Sequence, residues 1–216
     1  MQRPVWIAFD LNGTLLDPAA LLGPGREQMG HATLDDAVMQ AMADTLAGEH
    51  RPFGAYLRAA LERRLQAAGV DGEMLASAIK RAAALPAFPD AAPALEMLAG
   101  GGFRIAVVTN TAADAAARAL HAAALDAHVE LVVGADEIGA YKPDPRVYSH
   151  AESRLAAPAS TICLVAAHAW DVLGAMRAGW SAAWVAHREG HLLATVPPPA
   201  ISADSLLDAG RQLAAL

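Results

Sequence analysis

The sequence predicts an α/β fold, a doubly wound, Rossmann-like parallel sheet with a helical insertion after its first strand. Three observations carry this expectation. Five short runs, at 5–9, 103–109, 129–133, 161–166 and 182–186, are apolar nearly throughout, as strands covered on both faces are. Stretches of helical composition alternate with the later ones, at 112–125, 145–155 and 170–179, and such alternation implies parallel strands joined by crossover helices. The interval 15–85 breaks the rhythm: it holds no strand, only helical patterns.

Taken in order, the first run ends in a carboxylate, Asp10, and passes at once into Asn12-Gly13-Thr14. Helical patterns then cover 34–47 and 53–68, the second stopped by Gly69, a residue suited to a helix C-terminus. The segment Leu85-Pro86-Ala87-Phe88-Pro89-Asp90 closes this interval. The expected division is therefore a core of residues 1–14 and 86–216 and a helical cap of residues 15–85, the cap lying over the carboxyl ends of the strands, where open α/β sheets bind ligands. The proline-rich stretch 195–200 reads as a connection to a last helix near 205–213.

Composition narrows the class. Of 216 residues, 55% are hydrophobic and 18% charged, which favours a large buried core over disorder. The net charge of −7 argues against nucleic acid or an anionic membrane surface as the partner. No run approaches the ~20 apolar residues of a membrane span, and the N-terminal apolar run stops at Asp10, too short for a signal peptide. The lone cysteine, Cys163, sits in an apolar run and reads as a small core residue in a reducing compartment. A cytoplasmic location follows by elimination.

Four strand ends carry polar chemistry. Asp10 ends the first, Thr109-Asn110 the second, Lys142 lies in the loop after the third, and Asp171 follows the fourth in Ala166-Ala167-His168-Ala169-Trp170-Asp171. In a parallel sheet these ends face one crevice. A carboxylate beside an ammonium stays ionised, and held dry it can serve as a nucleophile. Thr14 and Thr109 offer hydroxyls, Asn12 and Asn110 amides, and the turn at Asn12-Gly13 backbone N–H groups. Such donors suit an anionic substrate or a developing oxyanion. His168, three residues before Asp171, is a candidate general base, or alternatively a loop residue bonded to backbone. Trp170 reads as a packing anchor, and Trp180 is assigned no role.

These motifs resemble those of the haloacid dehalogenase (HAD) superfamily, over nearly the whole chain. The segment Asp136-Glu137-Ile138-Gly139-Ala140-Tyr141-Lys142-Pro143-Asp144-Pro145 with Tyr148 resembles the L-2-haloacid (type II) dehalogenases, as does Ala169-Trp170-Asp171 followed by Gly174-Ala175 and Ala178-Gly179. The resemblance implies a HAD-like Rossmannoid fold and a hydrolase that works without a cofactor on a small anionic 2-halo acid. Asp10 would attack C2, expel halide and form an ester. Lys142 would keep Asp10 ionised, Asp171 would position or activate the water that hydrolyses the ester, and Thr14, Thr109 and Tyr148 would line the nucleophile and the substrate carboxylate. It also implies a homodimer.

The sequence departs from that pattern at definite places. Ala166-Ala167-His168 stands where the type II enzymes have Ser-Ser-Asn. The stretch 34–47 holds no arginine to grip halide, although Arg26 and Arg51 flank it. Asn12 replaces both the aromatic of the dehalogenases and the second aspartate of the superfamily phosphatases, and an amide cannot exchange protons as that aspartate does. Two further readings therefore stand beside dehalogenation. One is a phosphatase that forms an aspartyl phosphate on Asp10, with Mg²⁺ held by Asp10 and Asp171. The other is a weakened member of the superfamily that binds a small metabolite without turnover.

Overall fold

The computed structural model describes residues 2–70 and 72–216. Met1 and Asp71, which fall within the two expected ranges 1–14 and 15–85, lie outside the described residues. Six parallel strands form one sheet in the order β3-β2-β1-β4-β5-β6: β1 Trp6–Phe9, β2 Arg104–Thr109, β3 Leu131–Gly134, β4 Ile162–Ala166, β5 Ser181–Val185 and β6 Ile201–Ala203. Register is set at the centre, where Phe9 pairs with Val107 on one side and Val165 on the other. The chain builds outward from β1 through β2 to β3, then crosses back to lay β4 on the other side of β1. That reversal opens a crevice at the carboxyl ends of the central strands.

The central strands alternate between two apolar clusters. Ile7, Phe9 and Val107 face one side, while Trp6, Ala8 and Val108 face the other. The helices covering the faces are α4 Ala91–Gly100, α5 Ala113–Ala122, α6 Pro145–Leu155, α7 Ala169–Arg177 and α8 Leu206–Ala214. Cys163 is a buried core residue whose thiol burial pushes up to about 12.

Between β1 and α4 the chain forms a 3-10 turn at Pro18–Leu22 and three helices, α1 Glu27–Ala47, α2 Phe53–Ala67 and α3 Gly72–Ala82. The entering and leaving segments run side by side: Asp17 donates its N–H to the Pro86 carbonyl at 2.8 Å, and Phe88 donates to Leu15 at 2.9 Å. α1 stops at Gly48, whose φ of +79° is the left-handed geometry that glycine adopts without strain. A third apolar cluster joins Leu34, Val38, Phe53 and Tyr56 of α1 and α2 to Tyr141 and Trp170 of the core loops. This cluster seats the helix pair over the crevice.

Four elements differ from the sequence expectation. α1 begins seven residues before the expected start at 34, and α3 and α4 form where none was expected. The sixth strand was also not anticipated, because its three residues directly follow Pro197-Pro198-Pro199 and are too few to show a period.

Candidate active site

Each expected strand-end residue reaches the crevice, and all are buried. Lys142 projects its Nζ between two carboxylates, 2.9 Å from Asp10 Oδ1 and 2.5 Å from Asp171 Oδ2, and donates a third bond to the Val108 carbonyl at 2.8 Å. All three ammonium protons therefore have acceptors, as a buried cation requires. The Asn110 side chain holds the loop by accepting the Lys142 backbone N–H at 2.8 Å.

The two carboxylates differ in electrostatic character. Burial alone would raise Asp10, but the Lys142 ammonium and the His168 contact outweigh it and hold Asp10 well below the usual carboxylate range. His168 Nδ1 lies 3.1 Å from Oδ2, and the Thr14 hydroxyl donates to the same oxygen at 2.8 Å. Asp171 lies deeper. Its burial, with the neighbouring charge of Asp10, pushes it up despite Lys142 and the Tyr148 hydroxyl, which donates at 2.7 Å. Burial would lower Lys142, and the two carboxylates reverse that and raise it.

Two residues expected to line the nucleophile and substrate, Thr14 and Tyr148, engage the two carboxylates in this structure. The Thr14 hydroxyl donates to Asp10 and accepts the Ala167 N–H at 3.0 Å. The Tyr148 hydroxyl is buried against Asp171. Both hydroxyls are spent on orienting carboxylates. Gly174 makes room for Tyr148, since a Cβ there would collide with the phenol oxygen. Trp180 packs edge-on against Tyr148 with ring centroids 5.5 Å apart, so it backs the site although no role was expected for it. The Ala166-Ala167 pair lacks side-chain hydroxyls, yet Ala167 still supplies a backbone donor.

A small space remains above Asp10, lined by Asn12, Leu34, Val38, Phe53, Thr109, Asn110, His168 and Trp170. Its volume is about 10 Å³, room for roughly one water. Trp170 is thus a wall of the site as well as a packing anchor. Two polar atoms at this wall have no protein partner, Asn110 Nδ2 and His168 Nε2. A carboxylate only accepts, so the contact to Asp10 assigns the His168 proton to Nδ1. Thr109 spends its Oγ1 on the Thr111 N–H at 3.1 Å, and Asn12 donates to Thr111 Oγ1 at 2.9 Å.

Neither cap-flanking arginine enters this space. Arg51 is exposed and its guanidinium pairs with Asp44, while its carbonyl accepts the Tyr141 hydroxyl at 2.6 Å. Arg26 stands at the start of α1, outside the lining. The donor set also fits Mg²⁺ poorly. Lys142 takes one oxygen from each carboxylate and Tyr148 takes the other of Asp171, whereas Mg²⁺ demands near-octahedral oxygen ligation. Among the described residues no three His, Cys, Asp or Glu side chains converge as a metal site.

The sequence reading missed one tripeptide, His187-Arg188-Glu189, directly after β5. His187 Nε2 lies 3.1 Å from the Gly13 carbonyl oxygen, Arg188 pairs with Asp35 of α1 at 2.5 Å, and Glu189 accepts the Ala169 N–H at 3.1 Å at the start of α7. Three consecutive side chains thus tie the loop after Asp10, the overlying helix and the helix bearing Asp171. The signal was available: this is the fifth strand end, and the rule applied to the other four extends to it. Gly13 packs so closely here that a Cβ would lie 2.7 Å from His168 Cε1.

Comparison with known proteins agrees with this architecture. The family model for haloacid dehalogenase-like hydrolases matches residues 6–179. The chain is 30% identical to (S)-2-haloacid dehalogenase 4A of Burkholderia cepacia, over 85% of this chain and 83% of that protein. It is also 30% identical to the probable phosphatase IndB of Dickeya dadantii, over 88% and 86%. A crystal structure of a dehalogenase with an intermediate complex superposes with a TM-score of 0.92 at 25% identity, covering 99% of both chains. No helix among the described residues is long and apolar enough to cross a membrane.

Proposed function

Because the chain belongs to the haloacid dehalogenase-like hydrolases, we propose that it hydrolyses the carbon–halogen bond of a small 2-halo acid through an ester on Asp10. The observation that carries this reading is the buried Lys142 ammonium held between the buried carboxylates of Asp10 and Asp171. An ionised, desolvated carboxylate is a competent nucleophile toward carbon, and no metal is required to stabilise the charge.

In the first step an Asp10 oxygen bonds to C2 from the side opposite the halogen. The C2–halogen bond breaks with its electron pair and halide leaves. The free Asn110 Nδ2 is the donor best placed to hold an anionic group of the substrate. Ester formation removes the negative charge that fixed the His168 proton on Nδ1. The ring can then carry its proton on Nε2 and accept one from water at Nδ1. That water adds to the Asp10 carbonyl carbon, the ester C–O bond breaks, and the product alkoxide takes a proton to become a 2-hydroxy acid. Asp171 keeps Lys142 in place through both steps. The helices α1–α3 serve as a cap that excludes bulk water.

The test is halide release from (S)-2-chloropropionate without added metal, lost in Asp10→Asn, with one ¹⁸O appearing on Asp10 after a single turnover in labelled water. Metal-dependent release of phosphate from an aryl phosphate, with no halide released, sinks this reading in favour of the phosphatase one. The mismatch of Asp10, Lys142, Asp171 and Tyr148 with Mg²⁺ ligation is what disfavours that alternative.

A further inference from the structure

The space above Asp10 holds about one water, yet a cavity of about 330 Å³ lies next to it. That volume falls within the ~300–1,000 Å³ of small-molecule sites. The two spaces adjoin and share Asn12, Leu34 and Phe53 in their walls. At this shared wall Asn12 Nδ2 donates to Thr111 Oγ1 at 2.9 Å, which occupies one donor and one acceptor there. The remaining walls of the larger cavity are mostly apolar: Leu57 of α2, Ile79 and Ala82 of α3, Leu85, and Ala115 of α5. Charge is confined to Arg58, already paired with Glu62 at 2.8 Å, and the exposed Arg118.

We infer that the substrate is a 2-halo acid with an apolar side chain of several carbons, and that this chain lies in the cavity between α2, α3 and α5. The inference rests on the dehalogenase reading and specifies its substrate. The cavity of about 450 Å³ on the Trp170 side is bordered by His31, Asp35, Arg188 and Glu189, whereas a chain leaving C2 on the Asn12 side meets the apolar walls. Burial of each further methylene against these walls strengthens binding by up to about fourfold, until the cavity is full.

A homologous series from (S)-2-chloropropionate to (S)-2-chlorooctanoate tests this by halide release. The expected result is a kcat/KM that climbs with each carbon beyond chlorobutanoate. Ala115→Phe, from the α5 wall, and Ala82→Leu, from the opposite wall, should abolish the climb and leave chloropropionate turnover unchanged. Equal kcat/KM along the series overturns the inference. So do parallel losses for short and long substrates in both variants with native circular dichroism, and so does a tenfold preference for 2-chloroadipate over 2-chlorohexanoate. Calorimetry with unhalogenated acetate and hexanoate separates the two ideas. Tighter hexanoate binding, lost in Ala115→Phe, with no halide released from any acid, retains the pocket and removes the dehalogenase reading. Equal binding of the two acids removes the pocket whatever the halide assay shows.

Discussion

The Nζ of Lys142 lies 2.9 Å from an oxygen of Asp10 and 2.5 Å from one of Asp171, with all three groups out of solvent. Two buried carboxylates share one cation, so removing the cation strands both. Lys142→Met should destabilise the fold by about 3–5 kcal/mol, the cost of breaking a buried ion pair from one side. Halide release should vanish with it. Urea unfolding at pH 7 checks the first effect, and the double variant Lys142→Met/Asp171→Asn checks its cause. Removing one stranded charge should recover part of the stability and none of the activity.

The same triad sets an alkaline limit on stability. Lys142 has its pKa raised above the ordinary 10.5, so its contribution is whole below that value and is lost as pH rises through the higher folded one. Tyr148 adds to the trend. Burial first, and the Asp171 charge second, lift its hydroxyl well above the ordinary 10.0. The unfolded chain gives up that proton above pH 10 while the folded one keeps it, which favours unfolding. Urea midpoints should stay level from pH 7 to 9 and fall above about pH 10. Tyr148→Phe should shallow that fall. A midpoint that holds to pH 11.5 contradicts the assignment.

Much of this site was legible in the sequence because parallel sheets gather distant residues by rule. Asp10, Asn110, Lys142 and Asp171 follow four different strands, and knowing where strands end is enough to bring them together. What a side chain does once there was less legible. Tyr148 and Thr14 look like substrate contacts in the linear chain. In three dimensions Gly174 leaves a hollow that takes the phenol to Asp171, and the Ala167 N–H turns Thr14 toward Asp10. Closure over Asp10 by Leu34, Val38 and Phe53 was beyond reach, since it depends on how two helices pack against Tyr141 and Trp170. β6 was missed for a simpler reason: three residues show no periodicity.

His168 donates to the same Asp10 oxygen as Thr14, so in this structure its Nδ1 is engaged with the carboxylate. If it is also the base of the second step, His168→Ala should slow ester hydrolysis more than ester formation. General-base loss typically removes ~10²–10⁴ in rate. An intact mass spectrum taken during turnover should then show the protein heavier by the substrate's carboxyalkyl group without halogen, a gain absent from Asp10→Asn. Unmodified protein together with wild-type turnover would remove the base role and leave only a hydrogen bond to the carboxylate.

Glu189 reaches back from the loop after β5 to accept the Ala169 N–H with both carboxylate oxygens, at 3.1 and 3.2 Å. An anion at a helix N-terminus meets unsatisfied N–H groups and the positive end of the helix dipole, an interaction of about 0.5–2 kcal/mol when partly buried. Here the capped turn is the one that carries His168, Trp170 and Asp171, so the cap holds three residues of the proposed site. Glu189→Ala should lower Tm by about 2–4 °C per kcal/mol lost, and should reduce kcat while leaving KM for chloropropionate nearly unchanged. Glu189→Gln keeps an acceptor oxygen and should restore most of kcat but only part of Tm, because the charge is gone. A variant that loses Tm while keeping full kcat would mark Glu189 as a stability residue alone. The split between the two readouts therefore decides whether this cap positions the machinery or merely holds the helix.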